Sequence, residues 1–287
     1  MGHRLQLHGS WTSTIRRLEL TFKHPFTIPQ LIEGLKCIQQ LECLQLNPNG
    51  FKGNLNNVDL LTTLPPSYIR LPHLKYIQME YARFCTAISL LDHIYPAPGC
   101  ALNFSIRGVE MPTEERVGEI QQVASRYTEI YYGLGIATTF HLRMSSNGFS
   151  ITDPDPVPRI RLMSISWAFP RFIVADFLCV LTSAGFSDVN YLLLLTNSNC
   201  ANNNIAKFIS CFPSLRTLNI LPTTIRHIYD WHCTHGDSAT PFPLLHTLQI
   251  SAETIFEDFE LRIIFDFSVW RHVIGAPIGV IELVECR

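Results

Sequence analysis

Charged side chains are scarce in this chain. Asp, Glu, Lys and Arg make up 16% of its 287 residues, whereas hydrophobic residues make up 47%. This balance indicates a protein that buries many strand and helix faces. The few charges nearly cancel, to a formal net charge of −2. Nucleic-acid-binding proteins of this size are usually basic and carry a stripe of Lys and Arg. The chain has no such stripe, so we expect no nucleic-acid partner.

The sequence also lacks a long apolar run and a paired-cysteine motif. No uninterrupted apolar stretch approaches the roughly 18 residues that cross a bilayer. No targeting signal or lipidation motif is visible either, so we expect no membrane partner. The nine cysteines form no C-x-x-C, and several lie in apolar runs, where a free cysteine packs as a small hydrophobic residue. We therefore expect a reducing, intracellular location, cytoplasmic or nuclear.

Signatures of catalysis are missing as well. The glycine-rich phosphate loops G-x-G-x-x-G and G-x-x-x-x-G-K do not occur, and neither does the nucleophile motif G-x-S-x-G. Acidic pairs occur at Glu114-Glu115 and at Asp153 and Asp155. The first pair is typical of a helix N-terminus and the second of a turn. The sequence therefore predicts a protein that is not an enzyme and has no cofactor.

One histidine-rich segment carries side chains that bind metals. Its candidate ligands are His227, Asp230, His232, Cys233, His235 and Asp237. Imidazole and thiolate groups suit zinc, but no paired C-x-x-C or H-x-x-x-H partner stands elsewhere at the usual spacing. We assign residues 232–241 to a polar loop between repeats and expect no metal.

A repeated pattern dominates what the sequence does contain. The pattern is apolar-x-x-apolar-x-apolar, and its copies begin at Ile15, Leu41, Leu74, Leu162, Val189, Leu215, Leu245 and Ile278. Two weaker segments in the middle, 102–106 and 140–144, alternate apolar and other residues as strands do. The copies recur every 26 to 33 residues, as from Leu18 to Leu44 and from Leu44 to Ile77. Leucine-rich repeats have a similar period, at about 20–29 residues.

Helical apolar spacing occurs between the predicted strands. The predicted helical segments are 28–38, 88–94, 117–127, 174–181 and 205–212. Strands that alternate with helices pair in parallel, because each connection crosses the sheet. We predict an α/β fold, an irregular leucine-rich-repeat-like solenoid with parallel strands on its concave face and helices on its convex face. The alternative is a doubly wound α/β domain, which would carry a glycine-rich loop and continuous apolar strands.

The repeats predict one solenoid over residues 1–287. A proline-rich stretch at 153–158, Asp-Pro-Asp-Pro-Val-Pro, interrupts them, because its prolines block a helix and a central strand. This stretch divides the predicted solenoid into two halves, 1–152 and 159–287.

The alternation also predicts a binding surface. Inward leucines such as Leu44 and Leu218 leave their neighbours on the open face of the sheet. In a curved solenoid this face is concave and binds protein partners, although a polar face can also simply keep the sheet solvated. The predicted partner-binding residues are Arg17, Glu19, Gln45, Tyr76, Gln78, Glu80, Tyr191, Leu193, Asn219 and Gln249.

Three strings resemble the divergent repeats of fungal F-box/leucine-rich-repeat proteins. They are Leu71-Pro-His-Leu-Lys-Tyr-Ile, Phe212-Pro-Ser-Leu-Arg-Thr-Leu and Phe242-Pro-Leu-Leu-His-Thr-Leu. The resemblance implies a substrate receptor of an SCF-type ubiquitin ligase, in which the repeats bind the protein substrate and an F-box binds a Skp-type adaptor. A repeat strand already begins at Ile15, so we expect an adaptor contact only if an F-box lies upstream. The alternatives are a repeat scaffold unrelated to ubiquitin and an α/β hydrolase or metalloenzyme.

Overall fold

The computed structural model shows a mixed α/β protein. It describes residues 13–21, 28–47, 68–82, 84–106, 114–132, 138–145, 148–153, 160–165, 178, 181–182, 185–196, 203–235, 242–252 and 258–285. The described strands are β1 (Arg17–Thr21), β2 (Cys43–Asn47), β3 (Ile69–Leu71), β4 (Tyr76–Ala82), β5 (Ile94–Pro96), β6 (Ala101–Ile106), β7 (Thr139–Ser145), β8 (Gly148–Asp153), β9 (Ile160–Ile165), β10 (Tyr191–Thr196), β11 (Thr217–Ile220), β12 (Thr247–Ala252) and β13 (Val280–Glu285). The described helices are α1 (Ile28–Lys36), α2 (Phe84–His93), α3 (Glu114–Tyr132), α4 (Asn203–Ile209), α5 (Pro222–His235) and α6 (Asp258–Val273).

The chain divides into two compact units. Unit 1 comprises Met1–Tyr131 together with Arg159–Ser166, and unit 2 comprises Tyr132–Pro158 together with Trp167–Arg287. The chain therefore leaves unit 1 after Tyr131, returns to it for one strand, β9, and then completes unit 2. The proline-rich stretch 153–158 lies at one of these crossings, and its residues 154–158 are outside the described part of the chain.

Each unit contains a sheet of mainly parallel strands. In unit 1 the order is β1-β2-β4-β6-β9, with every neighbouring pair parallel, and β3 and β5 form a separate small parallel sheet. In unit 2 the order is β8-β7-β10-β11-β12-β13. The pairs from β7 to β13 are parallel, whereas β7 and β8 form an antiparallel hairpin. The hairpin departs from the predicted alternation of strand and helix, because two residues alone join its strands.

Equivalent leucines of successive repeats lie side by side. Leu44 is in register with Leu18 and with Ile77, and Leu218 with Leu192 and Leu248. All of these except Leu18, which lies on the edge strand β1, are fully buried. Helix residues such as Leu31, Leu35 and Ile228 are buried too. Burial of each such side chain contributes roughly 1.5–3 kcal/mol of hydrophobic stabilisation.

A tight turn precedes six of the strands and belongs to the same repeat. In each turn a backbone N–H donates to the carbonyl three residues earlier, as Leu74 does to Leu71 and Leu215 does to Phe212. The other four turns join Ile38 to Leu41, Ala97 to Cys100, Phe186 to Val189 and Phe242 to Leu245. All twelve side chains are buried or nearly so. In five of these strands the turn places an apolar anchor three residues before the inward position, as Leu74 precedes Ile77, and in β6 Cys100 precedes Leu102 by two residues. The repeated unit therefore includes the turn as well as the strand.

Two helices of unit 2 differ from the sequence-based prediction. The predicted polar loop from His232 is wrong at its start, because α5 continues through His235. Ile225, Ile228 and Tyr229 give α5 an apolar stripe at helical spacing, and Pro222 stands at its first position, where proline is well tolerated. α6 was not predicted as a core helix, although Asp258 and Glu260 at its start and Gly275 beyond its end are ordinary helix boundaries.

Other predicted features fall outside the described residues. Among the described residues, the predicted helix at 174–181 is represented only by Leu178 and Leu181, both buried.

None of the described helices combines the length and the apolar character needed to cross a membrane.

Candidate functional site

Polar side chains of unit 1 form a hydrogen-bonded row on the sheet face opposite the buried leucines. We call this row, Arg17, Gln45, Tyr76, Gln78 and Asn103, the unit 1 ladder. Arg17 Nη2 donates to Gln45 Oε1 at 2.9 Å, and Gln45 Nε2 donates to Gln78 Oε1, also at 2.9 Å. The Tyr76 hydroxyl donates to Gln78 Oε1 at 3.3 Å and accepts from Asn103 Nδ2 at 3.4 Å. The row crosses four neighbouring strands, β1, β2, β4 and β6.

A corresponding row crosses the sheet of unit 2. This unit 2 ladder contains Tyr191, Asn219, Gln249, Ser251 and Glu282. The Tyr191 hydroxyl donates to Gln249 Oε1 at 3.2 Å, and Asn219 Nδ2 lies 3.3 Å from the same oxygen. Gln249 Nε2 donates to Glu282 Oε2 at 2.8 Å, and the Ser251 hydroxyl donates to Asn219 Oδ1 at 2.6 Å. The ladder ties β10, β11, β12 and β13 together.

Both ladders contain the same tyrosine–asparagine pair. In unit 1 Asn103 on β6 donates to the hydroxyl of Tyr76 on the adjacent β4, and in unit 2 Asn219 on β11 donates to that of Tyr191 on the adjacent β10. Both distances are 3.4 Å. In each pair the asparagine is one strand further along and two residues further into its strand than the tyrosine. The strand repeat is therefore also a repeat of open-face chemistry.

The predicted partner-binding residues differ in how much surface they offer. Arg17 and Glu19 are exposed, and Gln45, Tyr76, Gln78, Tyr191 and Gln249 are half-buried. Leu193 and Asn219 are each only 6% exposed. Leu193, one of the predicted partner-binding residues, is in register with His141 and Asn219 and leaves little of its side chain accessible. Glu80 is in register with Ser105, but its side chain lies outside the described part of the structure.

Three open-face residues were missed by the sequence-based prediction. Ser251 and Glu282 belong to the unit 2 ladder, and the His141 ring lies 5.6 Å from that of Tyr191. The signal for them was present. Each occupies an open-face position by the alternation of its strand: Ser251 lies two residues after Gln249, Glu282 follows the inward Ile281, and His141 lies between the inward Phe140 and Leu142.

The open face of unit 1 also carries a thiol beside the ladder, and charged side chains lie next to it. Cys43 lies on the open face in register with Arg17 and Tyr76. Burial raises the pKa of its thiol, so Cys43 stays protonated at neutral pH. Next to this face, Glu42 pairs with Lys75 at 3.1 Å and with Arg16 at 3.3 Å. The adjacent Lys75 ammonium lowers the pKa of the Glu42 carboxyl. The two ion pairs link the residues just before the N-terminal ends of β1, β2 and β4.

The histidine-rich segment is helical and its side chains have other contacts. Asp230 pairs with Arg226 at 3.5 Å, and the His232 ring stacks on Trp270 of α6 with the centroids 5.5 Å apart. Asp237 and the side chain of His235 lie outside the described residues. Within the described ranges no three His, Cys, Asp or Glu side chains converge in an arrangement that could hold a metal ion.

Comparison with known proteins yields no relative: no family model matches the chain, and no curated protein or solved structure matches it. What the site can bind is therefore inferred from the side chains of the two ladders. Amide and phenol groups both donate and accept hydrogen bonds without carrying charge. Because each is already held by a neighbour, the ladders present fixed polar groups and half-buried aromatic rings, an arrangement suited to binding a partner.

Proposed function

We propose that the chain is a protein-binding module, a leucine-rich-repeat-like solenoid whose open strand faces recognise a protein partner. The observation that carries the proposal is the repeated ladder of Tyr, Gln and Asn side chains on the side of each sheet away from the buried leucines. A side chain that is already positioned loses little conformational entropy when it binds. Protein interfaces are also enriched in tyrosine.

The chemistry of the ladders favours a protein over a nucleic acid. Phosphate groups require Lys and Arg, whereas the ladders consist of neutral amides, two tyrosines and a serine, with one cation, Arg17, and one anion, Glu282. The neutral groups complement the peptide groups and polar side chains of another protein. Arg17 and Glu282, each at one end of a ladder and exposed, would select the charge of the partner at the edge of the contact.

A narrower proposal is substrate recognition within an SCF-type ubiquitin ligase. Its support is the resemblance of the strings that begin at Leu71, Phe212 and Phe242 to repeats of F-box proteins. A Skp-type adaptor would then bind an F-box upstream of the repeats. Co-purification of the adaptor with the protein expressed from its complete gene tests this role. The broader role as a binding module does not depend on that result.

Site-specific photo-crosslinking tests the broader role. A benzophenone amino acid is placed at Arg17 or at Glu282, and the protein is irradiated in the cells that express it. Matched controls carry the same group at Glu33 of α1 and at Lys207 of α4, which are exposed positions on helices. We expect discrete protein adducts from the two ladder positions and none from the helix positions. Equal labelling at all four positions, or adducts with nucleic acid, would exclude the proposed face.

A further inference from the structure

Exposed apolar side chains are concentrated at one place in unit 2. Eleven large apolar side chains are exposed among the described residues, and eight of them belong to α6 or β13. These eight are Phe259, Leu261, Phe265, Val269, Val273, Val280, Ile281 and Leu283. Large apolar side chains that are exposed on consecutive elements often mark an interaction surface.

The helix α6 is apolar on two sides. Ile263, Ile264 and Phe267 are buried within unit 2. Leu261, Phe265 and Val269 recur at every fourth position on another side, and Phe265 is 67% exposed. A helix that is apolar on two sides ordinarily lies between two layers of protein. In unit 2 only one of those layers, which includes α5, is present among the described residues.

The strand β13 is uncovered in the same way. Ile281 and Leu283 are in register with Leu248 and Ile250 of β12, so they point to the side of the sheet on which the helices lie. Leu248 and Ile250 are fully buried, whereas Ile281 is 46% and Leu283 is 58% exposed. We call the exposed stripe of α6 together with these two strand residues the end face.

We propose that the end face binds a second copy of this chain, with the two α6 helices packed antiparallel around a two-fold axis at Phe265. The sequence of the stripe is symmetric about that residue. Leu261 and Val269 lie four positions to either side of Phe265, and Asp258 and His272 lie seven positions to either side. Residues separated by seven positions, two turns of a helix, share one side of it. Asp258, Phe265 and His272 therefore lie along a single line, and Asp258 and His272 are exposed.

Antiparallel pairing makes this stripe complementary to itself. With Phe265 on the axis, Leu261 lies opposite Val269 of the second copy, and Asp258 lies opposite His272 of the second copy. The acidic first turn of each helix then faces the last turn of the other, which carries His272, and helix dipoles favour this antiparallel orientation. A two-fold interface uses the same patch on both subunits. A stripe that binds an unrelated protein needs no symmetry of size and charge about a central residue.

The first test measures the mass of the intact protein in solution. We expect the wild type to sediment as a dimer at micromolar concentration and Phe265→Asp to sediment as a monomer. Because Phe265 is exposed, the substitution leaves the unit folded, and circular dichroism checks this. Tyr95→Asp is the matched control, since Tyr95 is an exposed aromatic residue of unit 1, and it should remain dimeric. A wild type that is monomeric at every concentration, or a dimer that survives Phe265→Asp, overturns the proposal.

A charge exchange tests the antiparallel geometry. Asp258→Lys replaces the carboxylate that faces His272 of the second copy by a cation at both ends of the interface, so the dissociation constant of the dimer should rise by about a few-fold. Combining it with His272→Glu places a lysine opposite a glutamate at both ends and should return the constant to its wild-type value or below. If the double variant dissociates as readily as Asp258→Lys alone, these residues do not face each other across a two-fold axis.

Discussion

The side-chain amide of Asn219 donates a hydrogen bond to the hydroxyl of Tyr191, 28 residues earlier in the chain and on the adjacent strand. Asn219 Oδ1 also accepts a hydrogen bond from the hydroxyl of Ser251, which is on the strand on its other side. One nearly buried side chain therefore joins three strands of the unit 2 ladder. Within the described part of the chain, the side chain of its counterpart Asn103 makes one hydrogen bond, to Tyr76, and is half-buried.

This difference predicts unequal costs for the same substitution. Asn219→Ala removes the partner of the buried Ser251 hydroxyl as well as the bond to Tyr191, so it should lower the free energy of unfolding by about 2–3 kcal/mol. Asn103→Ala removes one half-buried bond and should cost about 0.5–1 kcal/mol. Urea unfolding followed by circular dichroism measures both. Equal costs would mean that Asn219 does not hold the unit 2 ladder together.

A buried hydroxyl pair joins β10 to α5 and allows a coupling experiment. The Oγ1 atoms of Thr196 and Thr224 lie 2.6 Å apart, and both residues are fully buried. Either Thr196→Val or Thr224→Val alone leaves a buried hydroxyl without its partner and should cost about 1–3 kcal/mol. Replacing both removes the unpaired group, so the double variant should be more stable than the sum of the single costs predicts. Strictly additive costs would show that the two hydroxyls do not interact.

The pKa of Glu42 predicts a pH dependence of stability in unit 1. Lys75 lowers this pKa below the ordinary value of 4.5, so the native state favours the carboxylate more than the unfolded state does. Its stabilising effect is present above that ordinary value and is lost as the pH falls through the lowered one. The melting temperature of the wild type should therefore exceed that of Glu42→Gln at pH 6, and the gap should close as the pH falls well below 4.5.

The control for this experiment is Glu129→Gln. Glu129 is an exposed residue of α3 for which no ion pair is present among the described residues. The melting temperature of Glu129→Gln should follow that of the wild type across the same pH range. If the difference in melting temperature between the wild type and Glu42→Gln persists unchanged at low pH, the ion pairs with Lys75 and Arg16 are not its origin.

The strand pattern could be predicted because it is local. Leu44, Ile77, Leu218 and Leu248 are inward because side chains alternate along a strand, and their spacing along the chain placed them next to each other in register. The same alternation correctly placed Gln45, Gln78 and Gln249 on the open face. The solenoid as a whole stays a prediction, as does its role as a binding module.

Features that depend on neighbouring elements could not be predicted in this way. Alternation placed Leu193 on the open face but could not indicate that side chains on the adjacent strands would bury it. The start of the loop predicted from His232 was wrong because residues of weak helical preference, His and Thr among them, are held helical by packing such as that of His232 on Trp270. The helix around Phe265 was not predicted either, and neither was the exposure of that side chain.

By itself the sequence determined where the repeat strands lie, which side of each is apolar and which polar residues share the other side, since these follow from spacing along one segment. It did not predict β3, β5 or β8. Only the tertiary structure decided which polar groups bond to each other, as Asn219 does to Tyr191 and Ser251. It also decided that the second apolar side of α6 is uncovered. Burial and pairing depend on what lies beside a residue in space, and the order of residues within one repeat does not specify that neighbour.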